Sequence, residues 1–111
     1  MKYAAIFACA WFSSSAIAAD QVTLQRGHEV FQYWCAACHG PGEGPPGTIA
    51  LAALYQGAKP ALLEQRTDLT ADLVRLYVRN GVSVMPFFRK TEISDADLGA
   101  LAAYLSRNLK P

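Results

Sequence analysis

Five consecutive residues carry the chemistry that this sequence can do: Cys35, Ala36, Ala37, Cys38 and His39. Two thiols three positions apart lie on neighbouring sides of one helical turn, so both can reach the same flat ligand. A histidine directly after the second thiol can point its imidazole at a metal held in that ligand. This is the C-x-x-C-H arrangement that attaches a c-type haem through two thioethers, with His39 as proximal iron ligand. The competing use of C-x-x-C is a thiol–disulfide pair, which sits between a strand and a helix in a βαβ unit. No strand-like run precedes Cys35, so the haem is the expected cofactor.

The second chemical residue is Met85. Apart from the initiator it is the one methionine of the chain. A thioether is a suitable soft sixth ligand opposite a histidine. Pro86 removes an amide donor beside it and stiffens the segment that must hold the sulfur. The alternative role is a core gap-filler, but with C-x-x-C-H upstream and no rival histidine, Met85 is expected as distal ligand. His28 lies at the edge of a helical face and points away from the iron, as a solvated histidine does. Phe87 and Phe88 are expected as pocket wall and exposed apolar rim. Gly40 to Gly47 is a loop by composition. There the carbonyl of Pro45 is a candidate acceptor for the second ring nitrogen of His39, a bond that would fix the tautomer and orient the ring; otherwise the loop is a spacer.

These residues need helices to position them. Gly27, Val30, Phe31 and Trp34 recur at i, i+3, i+4 and i+7, which predicts an amphipathic helix over 22–34 leading into the motif. Gly27 costs about 1 kcal/mol relative to alanine in mid-helix, and its place on the apolar face predicts close approach of another helix. Residues 48–57 are apolar but weakly periodic, either a helical turn or extended chain. Pro60 opens a short helix over 61–65. Thr70 caps a helix over 71–79, with Asp72 in its first turn and Leu73, Leu76 and Tyr77 on one side; Asn80 and Gly81 end it. Ser94 to Asp97 is a capping box opening the last helix. Its stripe is Leu98, Leu101, Ala102, Leu105 and Leu109, with Tyr104 alongside and Arg107 and Lys110 at its end. That stripe is the expected partner of the Gly27 face.

The chain has 111 residues, enough for one small domain. Lys2, the apolar run from Tyr3 to Trp11 and the small residues Ser13 to Ala19 predict a secretory signal peptide over 1–19, cleaved after Ala18 or Ala19. The apolar run is too short to span a bilayer, so no membrane anchor is expected. The domain is then 20–111. Removing the signal takes away Cys9 and Lys2, leaving two cysteines, both in the motif, and nine basic against nine acidic residues. That balance gives no basis for binding nucleic acid or anionic membrane. A mature chain of this size buries only about 60–65% of its unfolded surface, and a covalently held haem would supply the missing apolar mass.

Taken together, the helix with Gly27 and Phe31, the motif at 35–39 followed by Gly40, then Gly44-Pro45, Val84-Met85-Pro86-Phe87 and the capped last helix ending at 101–105 resemble class I cytochromes c. The resemblance implies an all-α fold, three main helices plus short helices and loops around one covalent haem c, with Cys35, Cys38, His39 and Met85 as attachment and axial residues. The runs from Cys35 to Gly57 and from Leu62 to Leu98 are also similar to the cytochrome subunit of p-cresol methylhydroxylase and of related 4-alkylphenol and eugenol hydroxylases. That narrower likeness implies a periplasmic one-electron carrier, not an enzyme by itself. It would take electrons from an FAD-dependent flavoprotein subunit that oxidises a para-alkylphenol, and pass them to an acceptor such as azurin or another cytochrome. Ala36, Ala37, Val84, Pro86, Phe87 and Phe88 would form the docking patch, with Arg89 and Lys90 as a basic rim. The alternatives are a free-standing shuttle, a haem sensor or enzyme with a labile Met85, and a thiol oxidoreductase without haem.

Overall fold

The computed structural model describes the backbone of residues 14–111 and the side chains of residues 20–111. Residues 1–13 of the expected signal peptide lie outside the described residues. The first helix, α1, runs Ser14–Trp34. It begins before the expected start at Val22 and crosses the expected cleavage point unbroken, because Ala16, Ala18 and Ala19 are strong helix formers. The remaining helices are α2 (Ala36–His39), α3 (Pro46–Tyr55), α4 (Ala71–Asn80) and α5 (Asp95–Ser106), with one 3₁₀ turn at Leu63–Gln65. Every element among the described residues is helical, as the all-α class I cytochrome c fold requires.

The frame of the molecule is the crossing of α1 and α5. A Cβ on Gly27 would collide with the carbonyl oxygen of Ala100 and lie 2.5 Å from Cβ of Tyr104. Only glycine lets the two backbones come this close. The contact is with Ala100 and Tyr104, one turn around α5 from the leucines expected there. Below the crossing, Phe31 and Leu101 are fully buried, joined by Val30, Leu98, Ala102 and Leu105. Burying side chains of this size contributes about 1.5–3 kcal/mol each. Ser94 caps α5 by accepting from the Asp97 amide at 3.1 Å. The helix stops at Ser106, so Leu109 lies beyond it and is exposed rather than part of the stripe. The tail is instead tied back by the Lys110 amide, which donates to the Thr67 carbonyl at 3.0 Å.

Thr70 caps α4 through the Leu73 amide at 3.2 Å. Its buried face is Val74 and Val78. Leu76 is 54% exposed and Tyr77 40%, so two of the three residues expected to pack there do not; Leu73 alone touches the core cluster. The expected helix over 61–65 reduces to the 3₁₀ turn. Arg66 explains the shortening: its side chain is buried, paired with Asp68 at 2.5 and 2.8 Å and bonded to the Tyr55 hydroxyl at 3.0 Å. The chain turns extended there to place it. Residues 46–55 resolve the earlier ambiguity as a full helix, opened by Pro46 at its first turn and closed by Gln56 in the left-handed region.

Candidate haem site

The attachment turn is built directly on the core. The Cys35 amide donates to the Phe31 carbonyl at 2.9 Å, and Cys38 and His39 both return their amides to the Cys35 carbonyl, at 3.1 and 2.8 Å. Fully buried Phe31 therefore fixes the start of a turn that places Cys35, Cys38 and His39 together. Trp34, Cys35 and Ala36 pack against the core cluster. Cys38 is exposed and Cys35 half-buried. Burial, with Cys38 nearby, pushes the Cys35 thiol up to about 12.

Burial lowers the pKa of His39, which keeps its imidazole neutral, the form that binds a metal. Its Nδ1 is the one buried side-chain nitrogen or oxygen without a hydrogen-bond partner among the described residues. The ring is pressed against Gly47: a Cβ there would fall 2.8 Å from Cε1, 2.9 Å from Nδ1 and 2.7 Å from the Cys38 carbonyl oxygen. Gly47 is thus a site residue that composition could not single out, one glycine among several in the same loop. The Thr48 hydroxyl, donating to the Gly40 carbonyl at 2.8 Å, ties the start of α3 to the residue after His39. The Pro45 carbonyl accepts the Ile49 amide at 3.1 Å at the start of α3, and no hydrogen bond joins it to His39 Nδ1. A carbonyl has a second lone pair, so the bond to Ile49 does not exhaust it.

Met85 lies in the segment between α4 and α5. Gly81 leaves α4 at φ 70°. Val82 and Met85 exchange backbone hydrogen bonds at 3.2 and 2.9 Å, with Ser83 at φ 55° and Val84 at the tip, 97% exposed. Phe88 anchors the other end: its amide donates to the Val78 carbonyl at 2.8 Å, and its ring meets Trp34 edge-on, centroids 5.9 Å apart. Trp34 is the chain neighbour of Cys35, so this contact links the Met85 segment to the attachment turn. Phe87 is 60% exposed. His28 stands apart from the site, its ring 5.4 Å from that of Tyr104 and its Nε2 3.3 Å from the Gln32 amide.

The donor set suits a haem: two thiols in one turn, a neutral imidazole whose buried Nδ1 is unsatisfied, and a thioether in a braced segment. Ile49 and Leu54 on α3 and Leu76 and Tyr77 on α4 are large side chains left exposed by the protein. A large apolar cofactor is the kind of surface that such side chains need.

Residues 22–105 match the family described as cytochrome c oxidase, cbb3-type, subunit III. The chain is 30% identical over 90 residues to a cytochrome c6 of Cyanidioschyzon merolae, covering 78% of this chain and 76% of that protein. It is 28% identical over 104 residues to a cytochrome c6 of Cyanidium caldarium, covering 91% and 84%. No solved structure matches. Among the described residues, no helix is long and apolar enough to cross a membrane.

Proposed function

We propose a specific place for a chain that belongs to the cytochrome c family and, as such, carries electrons on one covalent haem c. It serves as the cytochrome subunit of an exported flavocytochrome: residues 1–19 direct it to the periplasm, an FAD-containing partner oxidises a para-alkylphenol, and electrons leave to a small periplasmic acceptor such as azurin or another cytochrome. When bound, the haem supplies a one-electron ferric–ferrous couple. Cys35 and Cys38 would hold it through their sulfurs, and His39 and Met85 would ligate its iron. Gly47, having no side chain, lets the start of α3 approach the imidazole, where a Cβ would fall 2.9 Å from the buried Nδ1. The Pro45 carbonyl keeps a second lone pair that could serve that nitrogen, but its bond is to the Ile49 amide and none joins it to Nδ1. The backbone bonds between Val82 and Met85 and the anchor at Phe88 hold the main chain of the segment that carries the thioether. Were His39 and Met85 both to ligate the iron, no open position would be left for a small ligand, as an electron carrier rather than a sensor requires.

The observation that carries the flavoprotein partnership is the apolar exposure at Val84 and Phe87, beside the axial methionine. A lasting subunit interface has an apolar, aromatic centre. The two runs that resemble the alkylphenol-oxidising flavocytochromes support the same reading. A free-standing shuttle is the second reading, favoured by the similarity to cytochromes c6 over most of their length. Purification of the native protein from its own cells separates the two. The flavocytochrome reading expects a flavin-containing partner to co-purify, and the haem to be reduced when a para-alkylphenol is added to that complex. Isolation as a monomer without flavin, inert to the phenol, would establish the shuttle instead.

A further inference from the structure

Met85 must keep its sulfur at one point although it sits in a segment with a fully exposed tip. Its N-terminal side is braced by backbone alone, through Val82. Its C-terminal side is held differently. Arg79, in the last turn of α4, donates from Nη1 to the Phe88 carbonyl at 3.1 Å and from Nη2 to Asp95 Oδ1 at 2.9 Å. Asp95 is the first residue of α5, and its other oxygen receives Lys90 Nζ at 2.9 Å. One guanidinium therefore ties three parts together: the end of α4, the residue that anchors the Met85 segment, and the start of α5. Its side chain is 21% exposed, against 67% for Asp95, so the bond to Phe88 is the shielded one. Phe88 is the residue whose ring rests on Trp34, next to the attachment cysteine. With its amide on Val78, its carbonyl on Arg79 and its ring on Trp34, Phe88 is held on three sides, and only Arg79 does so through a side chain that mutation can remove cleanly.

We propose that Arg79 is a positioning residue for Met85: by clamping the Phe88 carbonyl to Asp95 it sets how often the Met85 segment opens, and so how firmly the thioether holds its axial position. The proposal rests on Met85 being the distal ligand. Segments of this kind open locally with their own free energy, well below that of global unfolding. A charge-assisted hydrogen bond to a carbonyl is strong enough to shift such an opening by about tenfold or more. The planar fork matters, because a lysine can reach the carbonyl or the carboxylate but cannot bridge both in fixed geometry.

The test uses the ferric haem protein and two readouts: the far-red absorption of methionine-ligated haem, and the rate at which added imidazole displaces the methionine. In Arg79→Leu, displacement should accelerate about tenfold, and the far-red band should disappear at lower urea than the helical circular dichroism. Arg79→Lys should fall between this variant and wild type. Asp95→Asn, which touches only the exposed partner, should shift both readouts in the same direction by less. Should Arg79→Leu fail to fold, Asp95→Asn and Arg79→Lys decide by the same measurements. Displacement rates indistinguishable from wild type in the folded variants, or a far-red band that vanishes only together with the helical signal, would overturn the role of Arg79. A wild-type protein without the far-red band would instead overturn Met85 as ligand, a separate result.

Discussion

The α1–α5 crossing and the region formed by α3 and the Met85 segment are built from similar apolar residues but to opposite ends. In the crossing, Phe31 and Leu101 are fully buried and the helices touch backbone to backbone at Gly27. α3, over Pro46–Tyr55, is apolar nearly throughout, yet none of its residues is buried. A helix that is hydrophobic all round stays folded only against something that covers it. The crossing finds that cover in protein; α3, Leu76, Tyr77 and the Met85 segment do not. The difference teaches where the polypeptide completes itself and where it relies on a covalent cofactor. The two regions should therefore respond independently to mutation.

The largest effect belongs to the site region. Met85→His should keep both axial positions filled but lower the potential by a large part of the roughly 0.8 V that axial ligands command. It removes the far-red band and leaves the α1–α5 crossing alone, so the helical signal should be unchanged. Potentiometric titration of wild type and variant checks this; an unchanged potential would show that Met85 is not the distal ligand.

Next comes the crossing. Helix propensity alone would make Gly27→Ala stabilising by about 1 kcal/mol. The close approach reverses that sign, because the atom in the way is the Ala100 carbonyl oxygen, and a backbone cannot yield as a flexible side chain can. Gly27→Ala should already destabilise the protein, and Gly27→Val should cost about 3 kcal/mol, at the upper end of the overpacking range. Denaturant melts measure both. The potential should stay at its wild-type value, and a large shift would mean that the two regions are coupled after all.

This contrast also marks what was legible in the sequence. The caps at Thr70 and Ser94 and the attachment turn could be read because each depends on residues close together in the chain; at Gly27 a glycine on an apolar face told of a close helix contact but not that Ala100 and Tyr104 would make it. The buried face of α4 could not. Leu73, Leu76 and Tyr77 form one apolar stripe and Val74 with Val78 another, and periodicity cannot say which one protein covers. α3 was ambiguous for the same reason: uniform apolarity has no period. Gly47 was hidden because its importance comes from the His39 ring, which folding brings to it. Arg66 was hidden because a buried arginine is recognised only through its partners, Asp68 and Tyr55.

The smallest effect tests the exposed face of the site region. The docking patch expected from sequence included Ala36 and Phe88, but both pack against the core. What remains is Ala37, Pro86, Val84 and Phe87, all exposed. The basic rim is also reduced. Arg89 pairs with Glu92 at 3.2 Å, and Lys90 shares Asp95 with Arg79, at 2.9 Å each, so the rim is largely paired and keeps one net positive charge in the Arg79–Asp95–Lys90 cluster. Surface pairs of this kind leave little net field to steer a partner. Binding to the flavoprotein proposed as partner should therefore depend on apolar contact and only weakly on salt. Phe87 supplies the largest exposed ring of the patch, and Phe87→Ala should weaken that binding by more than about 1 kcal/mol. Phe88, not Phe87, anchors the Met85 segment, so the haem spectrum and the potential should not change. Titration calorimetry at low and high salt distinguishes the outcomes. An affinity that collapses with salt but ignores Phe87→Ala would mean that the partner docks through charge, and that the uncovered apolar face beside Met85 serves some other contact.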